Sequence, residues 1–451
     1  MTDVIIAGGG AAGVAMAAAL AEFGYDVLIV EPGLDRAKRL AGELIHPPGV
    51  ANLNELGLLR CLEKSGATSI QGFAVFDNGA TTSDSSKSVT VEPYLLPYST
   101  TGAQGKRGLA IEHSVLGEAL LREIANFPRV TVRTDARVAA IDLSQANVAA
   151  VSVTRAGTEC RMQAQLLIAA DGRNSRLCQM AGIGQKQVHI SNMIGYSLTE
   201  IPLPQPGFGH VFIGGPAPVL AYNVGGGKTR MMFDLPPETR QDSEIEYMRS
   251  YLAALPEPLR SNVELAIEAQ TPLRAANRCI IPETVIKGRL VCAGDAGGCC
   301  HPLTATGLSA CTRDAMRLKQ ALRETSGDIP TALQRYAALR QGPQRTRLAG
   351  AEVLYEVFKA QTPEANLMRQ GLLTYWRRNA RGRAATIALL STEEDRTSVL
   401  IREYLQVCRY ALPPLIRWNG KTGGRPDKTR SHAMFGLSRA FLKFLAHTCL
   451  G

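Results

Sequence analysis

The chain has 451 residues, of which 45% are hydrophobic and 20% are charged, as in an ordinary globular protein. This length is enough for two or three domains with sizeable cores. No stretch of about 18 uncharged apolar residues occurs, so no transmembrane helix is predicted. The ten cysteines lack zinc-type CxxC pairs and are scattered, apart from the adjacent Cys299 and Cys300. We therefore predict reduced thiols in a cytoplasmic protein, without a disulfide framework or a metal site.

The net charge of +10 arises in the C-terminal part of the chain. From Arg369 to the end there are 15 Lys and Arg residues against 5 Asp and Glu residues, so the remainder is neutral. Such a surplus is typical of a protein beside an anionic membrane surface, and equally of an ordinary solvated face. Nucleic acid is not an expected partner, because no basic-aromatic motif accompanies the charge.

The N-terminal residues predict a nucleotide-binding βαβ unit. An apolar strand at 4–7 leads into a G-x-G-x-x-G motif at 8–13, a helix is expected at 14–23, and a second strand at 27–30 ends at Glu31. An acidic residue there favours an unphosphorylated ribose, and therefore FAD or NAD over NADP.

The three glycines of this motif have different purposes. Gly8 permits a tight turn, Gly10 lets the backbone approach a pyrophosphate, and Gly13 lets helix and strand pack closely. The helix N-terminus then offers free N–H groups and a partial positive charge to the phosphates.

The rest of the chain alternates between α/β and antiparallel patterns. Further helices are expected at 50–59, 111–125, 243–255, 257–268 and 308–323, and further strands at 72–76, 130–132, 138–141, 148–153, 166–170 and 289–293. Residues 187–235 alternate apolar and polar side chains, which favours the antiparallel strands of a second domain. From Pro330 the pattern is helical almost to the end.

Two further motifs follow buried strands. Asp171 and Gly172 come after one predicted strand, and Gly294 and Asp295 come after another. The carboxyl ends of strands are where open α/β sheets bind ligands. Together with the N-terminal motif, these two motifs resemble those of the single-component FAD-dependent monooxygenases, which include aromatic hydroxylases and squalene epoxidase.

Within that group, the similarity is greatest to the squalene epoxidase family. The pattern R-x-x-G-E-L-x-x-P-x-G at 39–49 and the pattern G-D-A-x-x-x-x-H-P-L-T-x-x-G at 294–307 resemble its motifs. Residues 216–222 and 354–358 look like its substrate domain and its C-terminal helices. The resemblance covers nearly the whole chain, from residue 3 to about residue 415.

This resemblance implies an α/β fold in which a Rossmann-like FAD-binding domain of the GR2 type is interleaved with an antiparallel β substrate domain. C-terminal helices follow these two domains. The implied boundaries are 1–72, 108–186 and 281–328 for the FAD-binding domain, 73–107 and 187–280 for the substrate domain, and 329–451 for a basic helical C-terminal region.

The resemblance also implies which residues hold FAD. The N-terminal motif and Glu31 would bind its ADP half, Asp295 its ribityl chain, and the segment after Asp295 would approach the isoalloxazine ring. The implied FAD-binding residues are Gly8, Gly10, Gly13, Glu31, Arg39, His113, Asp171, Gly172, Gly294, Asp295, Pro302 and Gly307. Candidate residues of the substrate and flavin site are Phe73, His46, Tyr222 and His301.

Two residues depart from the family's pattern. Squalene epoxidases carry a Tyr where this chain has Phe73, so the hydroxyl that organises the flavin site there is missing. They usually carry an Arg where this chain has His113. Both departures weaken squalene as the predicted substrate more than they weaken a flavin monooxygenase as the predicted enzyme.

The expected chemistry belongs mainly to the cofactor. A reduced flavin reacts with O2 to form a C4a-hydroperoxide, and the protein must exclude water and present an electron-rich carbon to it. Alkene epoxidation needs no protein base, whereas phenol hydroxylation gains from one. No Ser/His/Asp or Cys/His catalytic set is apparent, and for His46 and His301 we favour a structural role over that of a general base.

We therefore predict an FAD-dependent monooxygenase that uses NAD(P)H and O2, with a separate flavin-reducing partner left open. It would epoxidise an isoprenoid alkene such as squalene, or hydroxylate a prenyl- or alkyl-substituted aromatic. One alternative is a flavin-dependent isoprenoid reductase or dehydrogenase without O2 chemistry. The other is a flavin-binding peripheral membrane protein without turnover.

The last segment predicts a basic amphipathic helix at 432–449, after a Gly-rich charged loop at 421–430. Such a helix lies in a membrane interface, or it packs on its own domain or on a partner subunit. Because Met1 leads directly into the first strand, no targeting segment or N-terminal anchor is expected. The expected location is the cytoplasm, with peripheral attachment to a membrane left open.

Overall fold

A computed structural model describes residues 2–33, 40–77, 92–101, 106–240 and 243–411. Its strands are β1 (Val4–Ala7), β2 (Val27–Glu31), β3 (Leu44–Ile45), β4 (Thr68–Ile70), β5 (Gly72–Asp77), β6 (Tyr94–Pro97), β7 (Gly108–Ala110), β8 (Val130–Thr134), β9 (Ala136–Asp142), β10 (Ala149–Arg155), β11 (Thr158–Ala164), β12 (Leu166–Ala169), β13 (Gln185–Thr199), β14 (Gly209–Ile213), β15 (Val219–Asn223), β16 (Lys228–Leu235), β17 (Leu273–Pro282), β18 (Ile286–Lys287) and β19 (Leu290–Cys292). Its helices are α1 (Ala11–Glu22), α2 (Pro47–Glu55), α3 (Leu59–Lys64), α4 (His113–Ile124), α5 (Arg176–Met180), α6 (Glu244–Arg249), α7 (Leu259–Ala269), α8 (Gly307–Glu324), α9 (Ile329–Lys359), α10 (Pro363–Arg378), α11 (Ala380–Leu390) and α12 (Thr397–Ala411).

The predicted βαβ unit lies at the centre of a six-stranded sheet with the order β18-β19-β12-β1-β2-β8. β1 pairs in parallel with β2 and β12, and β12 pairs in parallel with β19. Every residue of β1 and β2 is buried, because α1 and α8 cover one face and the small sheet β9–β11 covers the other. Burial on both faces explains why these strands read as continuous apolar runs.

A second, seven-stranded sheet has the order β17-β13-β16-β15-β14-β5-β6. Its neighbouring strands are antiparallel, except for the parallel pair β5 and β14. Because β5 and β6 precede residue 100 and the other five strands follow residue 184, the chain contributes to this sheet twice. We retain the predicted domain boundaries as a proposal that agrees with this interleaving.

Helices α9 to α12 pack against one face of the seven-stranded sheet, and α6 and α7 pack against the other. No helix within the described residues is both long and apolar enough to span a bilayer. Arg39, the predicted loop at 421–430 and the predicted amphipathic helix at 432–449 lie outside the described residues.

Two predicted helices were wrong in extent. The helix expected at 50–59 is divided into α2 and α3, because Gly57 between them adopts a φ of +72°, which no helix accommodates. The helix expected at 243–255 ends at Arg249 and is followed by a short 3-10 turn. Tyr251 turns into the core there, where its hydroxyl donates to the carbonyl oxygen of Asp234.

Candidate active site

The three nucleotide motifs meet where β1, β12 and β19 end. Gly8 has a φ of +105°, and a Cβ atom there would lie 2.4 Å from the carbonyl oxygen of Ala170, just before the second motif. A Cβ on Gly13 would lie 1.9 Å from the carbonyl oxygen of Gly8. Gly294 has a φ of +58°, and its Cβ would lie 2.7 Å from that of Ala12. Segments distant in sequence are therefore packed too closely for larger residues.

The N-terminus of α1 and the end of β2 border this junction. Gly10 is the N-cap residue of α1, and no side chain among the described residues caps the helix. Its first-turn N–H groups are therefore left for a ligand, as at other anion-binding helix ends. Glu31 accepts a hydrogen bond from the N–H of Gly9 over 2.6 Å, which holds its carboxylate beside the start of α1.

The second and third motifs face each other through one side-chain contact. Arg173 Nε lies 4.0 Å from Asp295 Oδ2, and both side chains are more than one-third exposed. Asp171 Oδ2 instead accepts hydrogen bonds from the N–H groups of Arg176 and Leu177, at the start of α5. Asp295 thus keeps an accessible carboxylate, whereas Asp171 fixes the backbone that follows Gly172.

A buried ion pair supports the turn at Gly294. Asp314 accepts from the N–H of Gly294 over 2.9 Å and from Arg340 Nε over 2.9 Å. Arg340 also donates to the carbonyl oxygen of Gly297 over 2.6 Å. Arg340 was not predicted from the sequence, since it lies in the middle of a long helix with no motif around it.

His46 connects an aromatic cluster to the loop that starts α8. Its Nε2 lies 2.8 Å from the carbonyl oxygen of Thr304 and its Nδ1 lies 2.8 Å from the hydroxyl of Tyr98. Because a carbonyl only accepts, Nε2 carries the proton and Nδ1 accepts from Tyr98. Complete burial lowers the pKa of His46 to about 4, so the ring is neutral at pH 7.

The same cluster contains the first departure from the family's pattern. The Phe73 ring lies 5.9 Å from the ring of His46 and 6.4 Å from that of Tyr98, measured between centroids. A tyrosine hydroxyl is therefore present beside His46, although Phe73 lacks one. Tyr98 was not predicted from the sequence, because it lies in a segment without a strong pattern.

His301 belongs to a buried polar network that joins the seven-stranded sheet to α9. Asp234 accepts from Ser191 Oγ over 2.6 Å and from Asn277 Nδ2 over 2.9 Å, and it also accepts from the hydroxyl of Tyr355. His301 Nε2 lies 3.3 Å from Asp234 Oδ2 and 3.2 Å from Ser191 Oγ, and its ring stacks on Tyr355. The structure thus brings a serine, a histidine and an aspartate together, which the sequence did not reveal.

This contact differs from a nucleophilic triad. His301 Nδ1 accepts from a backbone N–H over 3.2 Å, so the proton of the neutral ring is on Nε2. The hydroxyl of Ser191 donates its hydrogen bond to Asp234 and not to the histidine, and all three side chains are buried. The network therefore positions the 301–307 loop and does not activate Ser191.

The other predicted residues lie at helix starts and in the apolar cluster on the seven-stranded sheet. His113 is the first residue of α4, and its Nδ1 lies 3.0 Å from the carbonyl oxygen of Gly42. Pro302 begins a 3-10 turn, and Gly307 begins α8, which no side chain of the described residues caps. Tyr222 is buried on β15 in the apolar cluster that contains Phe73.

A second buried ion pair joins the segment that carries the 39–49 pattern to the seven-stranded sheet. Arg230 of β16 donates to both carboxylate oxygens of Glu43, over 2.9 Å and 2.8 Å, and each side chain is 3% exposed. Burial raises the pKa of Glu43, and its hydrogen bonds with Arg230 oppose that shift. Two parallel N–H···O contacts fix the relative orientation of the two elements.

An apolar cavity lies between the 301–307 loop and helices α9 to α12, and we call it the helical cavity. Thr304 and Thr306 line it on the side of the loop. Its remaining wall is mostly aliphatic and includes Leu354, Leu372 and Val407. The cavity therefore places an apolar volume next to the loop that His46 and His301 hold.

Comparison with known proteins settles the family. A family model described as squalene epoxidase matches residues 163–423, more than half of the chain. The chain belongs to the squalene epoxidase family. Squalene monooxygenase of Mus musculus is 28% identical over 426 residues, covering 91% of this chain and 71% of the relative. A squalene epoxidase of Schizosaccharomyces pombe is 25% identical over 425 residues, covering 91% of this chain and 90% of the relative.

Solved structures confirm the predicted fold class. HpxO of Klebsiella pneumoniae, solved with FAD and uric acid, has a TM-score of 0.67 at 22% identity and covers 86% of this chain and 97% of its own. p-Nitrophenol 4-monooxygenase of Pseudomonas putida has a TM-score of 0.67 at 18% identity and covers 90% of this chain and 98% of its own. The fold is the GR2-type α/β FAD-binding fold with an antiparallel domain and C-terminal helices.

This member of the squalene epoxidase family is a flavin monooxygenase, and its cofactor is FAD. The residues present fit that cofactor. The tightly packed glycines and the uncapped start of α1 suit a pyrophosphate, and Glu31 and Asp295 offer carboxylates to ribose and ribityl hydroxyls.

We expect the free energy of unfolding of the wild type to fall more steeply in acid than that of the His46→Gln variant. The folded pKa of about 4 lies below the ordinary value of 6.5, so the unfolded state binds more protons between these two values. The contribution of His46 is complete above pH 6.5 and decreases by about 3 kcal/mol as the pH falls to 4. Gln keeps a donor and an acceptor but does not titrate.

Urea unfolding at pH 7 and at pH 4 measures this difference. The two proteins should differ by at most about 1 kcal/mol at pH 7, as expected for one exchanged hydrogen bond, and the wild type should lose more stability at pH 4. If the two proteins lose the same stability between pH 7 and pH 4, the His46 ring is not held neutral in the folded protein.

Proposed function

We propose that this chain uses NAD(P)H and O2 to oxygenate an apolar substrate, by epoxidising an isoprenoid alkene such as squalene or by hydroxylating a prenyl- or alkyl-substituted ring. For an alkene, one oxygen atom enters the epoxide and the other leaves as water, while NAD(P)H and a proton supply the two electrons and two protons. FAD supplies the oxygen-activating chemistry when it is bound.

The observation that carries this proposal is the helical cavity. Its mostly aliphatic wall suits a hydrocarbon, and Thr304 and Thr306 belong to the loop that by resemblance approaches the flavin ring. Aliphatic walls also exclude water, which protects reactive intermediates. Names of the curated relatives support the same substrate class, since both are named for squalene.

The state of the two candidate histidines favours epoxidation over phenol hydroxylation. His46 has both ring nitrogens engaged, by Tyr98 and by Thr304, and His301 has both engaged within its own network. Neither ring is placed to take a proton from a phenol, whereas alkene epoxidation requires no such base.

The assignment of residues to FAD is part of this proposal. The described residues in it are Gly8, Gly10, Gly13, Glu31, His113, Asp171, Gly172, Gly294, Asp295, Pro302 and Gly307. Their placement along one edge of the parallel sheet and around the 301–307 loop supports it. Phe73, His46, Tyr222 and His301 are proposed to shape the space beside the flavin.

Asp295→Ala is expected to lower the affinity for FAD about 10- to 100-fold, because hydrogen bonds to a charged group contribute about 1.5–3 kcal/mol. The FAD content after purification and the Kd of the apoprotein for FAD measure this loss. Glu268→Ala, which removes an exposed carboxylate paired with Arg249, is the matched control. A variant that purifies with full FAD content would show that the ribityl site lies elsewhere.

Oxygenation is tested by NADPH and NADH oxidation under air, with squalene and then with prenylated and alkylated aromatics, while O2 and H2O2 are followed. We expect O2 uptake coupled to an oxygenated product. Substrate conversion without O2 uptake would indicate the reductase alternative. If the reduced nicotinamides alone give no flavin reduction but dithionite-reduced enzyme still forms product in air, a separate flavin-reducing partner is required.

We also propose that the basic C-terminal region attaches the protein to anionic membranes. The support for this is the charge surplus after Arg369 and the amphipathic pattern at 432–449. Removal of residues 432–451 should weaken sedimentation with phosphatidylserine vesicles at low salt. Unchanged binding of the truncated protein would contradict the proposal.

A further inference from the structure

The wall of the helical cavity contains one carboxylate. Glu403 of α12 lines the cavity and is 8% exposed, and Tyr375 of α10 donates its hydroxyl to Glu403 Oε2 over 2.7 Å. A hydrocarbon has no group that interacts favourably with this pair. The cavity wall is therefore more polar at this point than a purely aliphatic substrate requires.

The carboxylate of Glu403 is only partly satisfied by the protein. A carboxylate offers about four acceptor positions. Among the described residues, Tyr375 occupies one of them and Arg402 Nε occupies another, over 3.1 Å. The side chain of Arg402 is 62% exposed, so its charge is well screened by water. Burial of a charge with vacant acceptor positions is costly, and a ligand that donates a hydrogen bond would offset that cost.

The charges around the cavity indicate a neutral ligand. Arg347 of α9 lines the same cavity, where it donates to the carbonyl oxygen of Gly298 over 3.0 Å. Arg347 and Glu403 thus both belong to the cavity wall, and Arg402 lies beside the carboxylate of Glu403. A cationic ligand would meet two positive charges as well as Glu403, so a neutral hydroxyl is the better donor.

We propose that the substrate is an elongated apolar molecule with one hydroxyl group, which donates a hydrogen bond to Glu403. The hydrocarbon part then lies along the aliphatic wall towards Thr304 and Thr306, where the oxidised carbon would be. This inference rests on the proposed oxygenase function and narrows its substrate class from isoprenoid hydrocarbons to isoprenoid or alkyl alcohols. Glu403 acts as a determinant of specificity in it.

Binding to the FAD-loaded enzyme, measured by calorimetry without NAD(P)H, tests the inference independently of turnover. The probes are farnesol, its methyl ether, which lacks the donor, and farnesylamine, which carries a charge. The wild type should bind farnesol about 10- to 100-fold more tightly than the ether. Glu403→Leu should bind both equally, and Glu403→Gln should keep a reduced preference. Arg409→Gln, at an exposed position of the same helix that does not line the cavity, is the control and should keep the full preference.

Three results would overturn the inference: equal binding of farnesol and its ether by the wild type, an unchanged preference in Glu403→Leu, or tighter binding of farnesylamine than of farnesol. Thermal unfolding and FAD content establish that each variant is folded, and Glu403→Gln carries the test if Glu403→Leu is not. A preserved alcohol preference without O2-coupled product would contradict the proposed function and not the recognition of the hydroxyl.

Discussion

Arg340→Met is expected to lower the free energy of unfolding by about 3–5 kcal/mol and to release FAD. The substitution removes the guanidinium that donates to the buried carboxylate of Asp314 and leaves it only Arg317, whose Nη1 lies 3.6 Å away without a hydrogen bond. Breaking a buried ion pair in this way has a cost of that size, because the remaining carboxylate is poorly compensated. The substitution also removes the hydrogen bond to Gly297, so the turn that carries Asp295 loses its support. Urea unfolding and FAD content after purification measure the two effects.

A matched substitution is available on the same helix. Arg335 pairs with Glu324 on the surface, where both side chains are well exposed, and Arg335→Met should cost at most about 1 kcal/mol. Similar losses in the two variants would mean that α9 is sensitive to any arginine replacement. Retention of FAD by Arg340→Met would show that the turn at Gly294 is held by other contacts.

Arg230→Met is expected to cost a similar amount, about 3–5 kcal/mol, because Glu43 then remains buried without its cation. The double variant Glu43→Leu/Arg230→Met should recover most of this loss, since no unpaired charge is left. Arg274→Met on β17, which breaks a partly exposed pair with Glu244, is the control. Chemical denaturation of the wild type, the two single variants Glu43→Leu and Arg230→Met, and the double variant gives the coupling energy of the buried pair.

A double variant as unstable as Arg230→Met would contradict this explanation. The destabilisation would then come from lost packing between β16 and the loop that carries Glu43, and not from an uncompensated charge.

The sequence was most informative where the chemistry is local. Gly8, Gly13 and Glu31 lie within a single βαβ unit, so their spacing alone predicts how they are placed. The motifs at Asp171 and Asp295 each follow an apolar strand, and parallel pairing of those strands brings them together. The fold class followed from these patterns and from the family resemblance, and the comparisons confirmed it.

The parts of the site that the sequence did not reveal depend on tertiary packing. Tyr98 reaches His46 from a segment with no periodic pattern, and Arg340 reaches Asp314 from the middle of a helix. Asp234 and Ser191 belong to strands whose alternation predicts burial but not which polar groups meet. In the sequence, Glu403 is one of several charged residues on an amphipathic helix. It lies on a cavity wall only because α10 packs against α12.

The 301–307 loop is held by contacts on both sides, and these contacts limit the ways in which a ligand can reach the helical cavity. His301 is fastened to the seven-stranded sheet through Asp234, and the carbonyl group of Thr304 is fastened to His46. Displacing this loop to admit a ligand would break both anchors. A ligand that leaves both anchors in place therefore enters the helical cavity through the wall that helices α9 to α12 form.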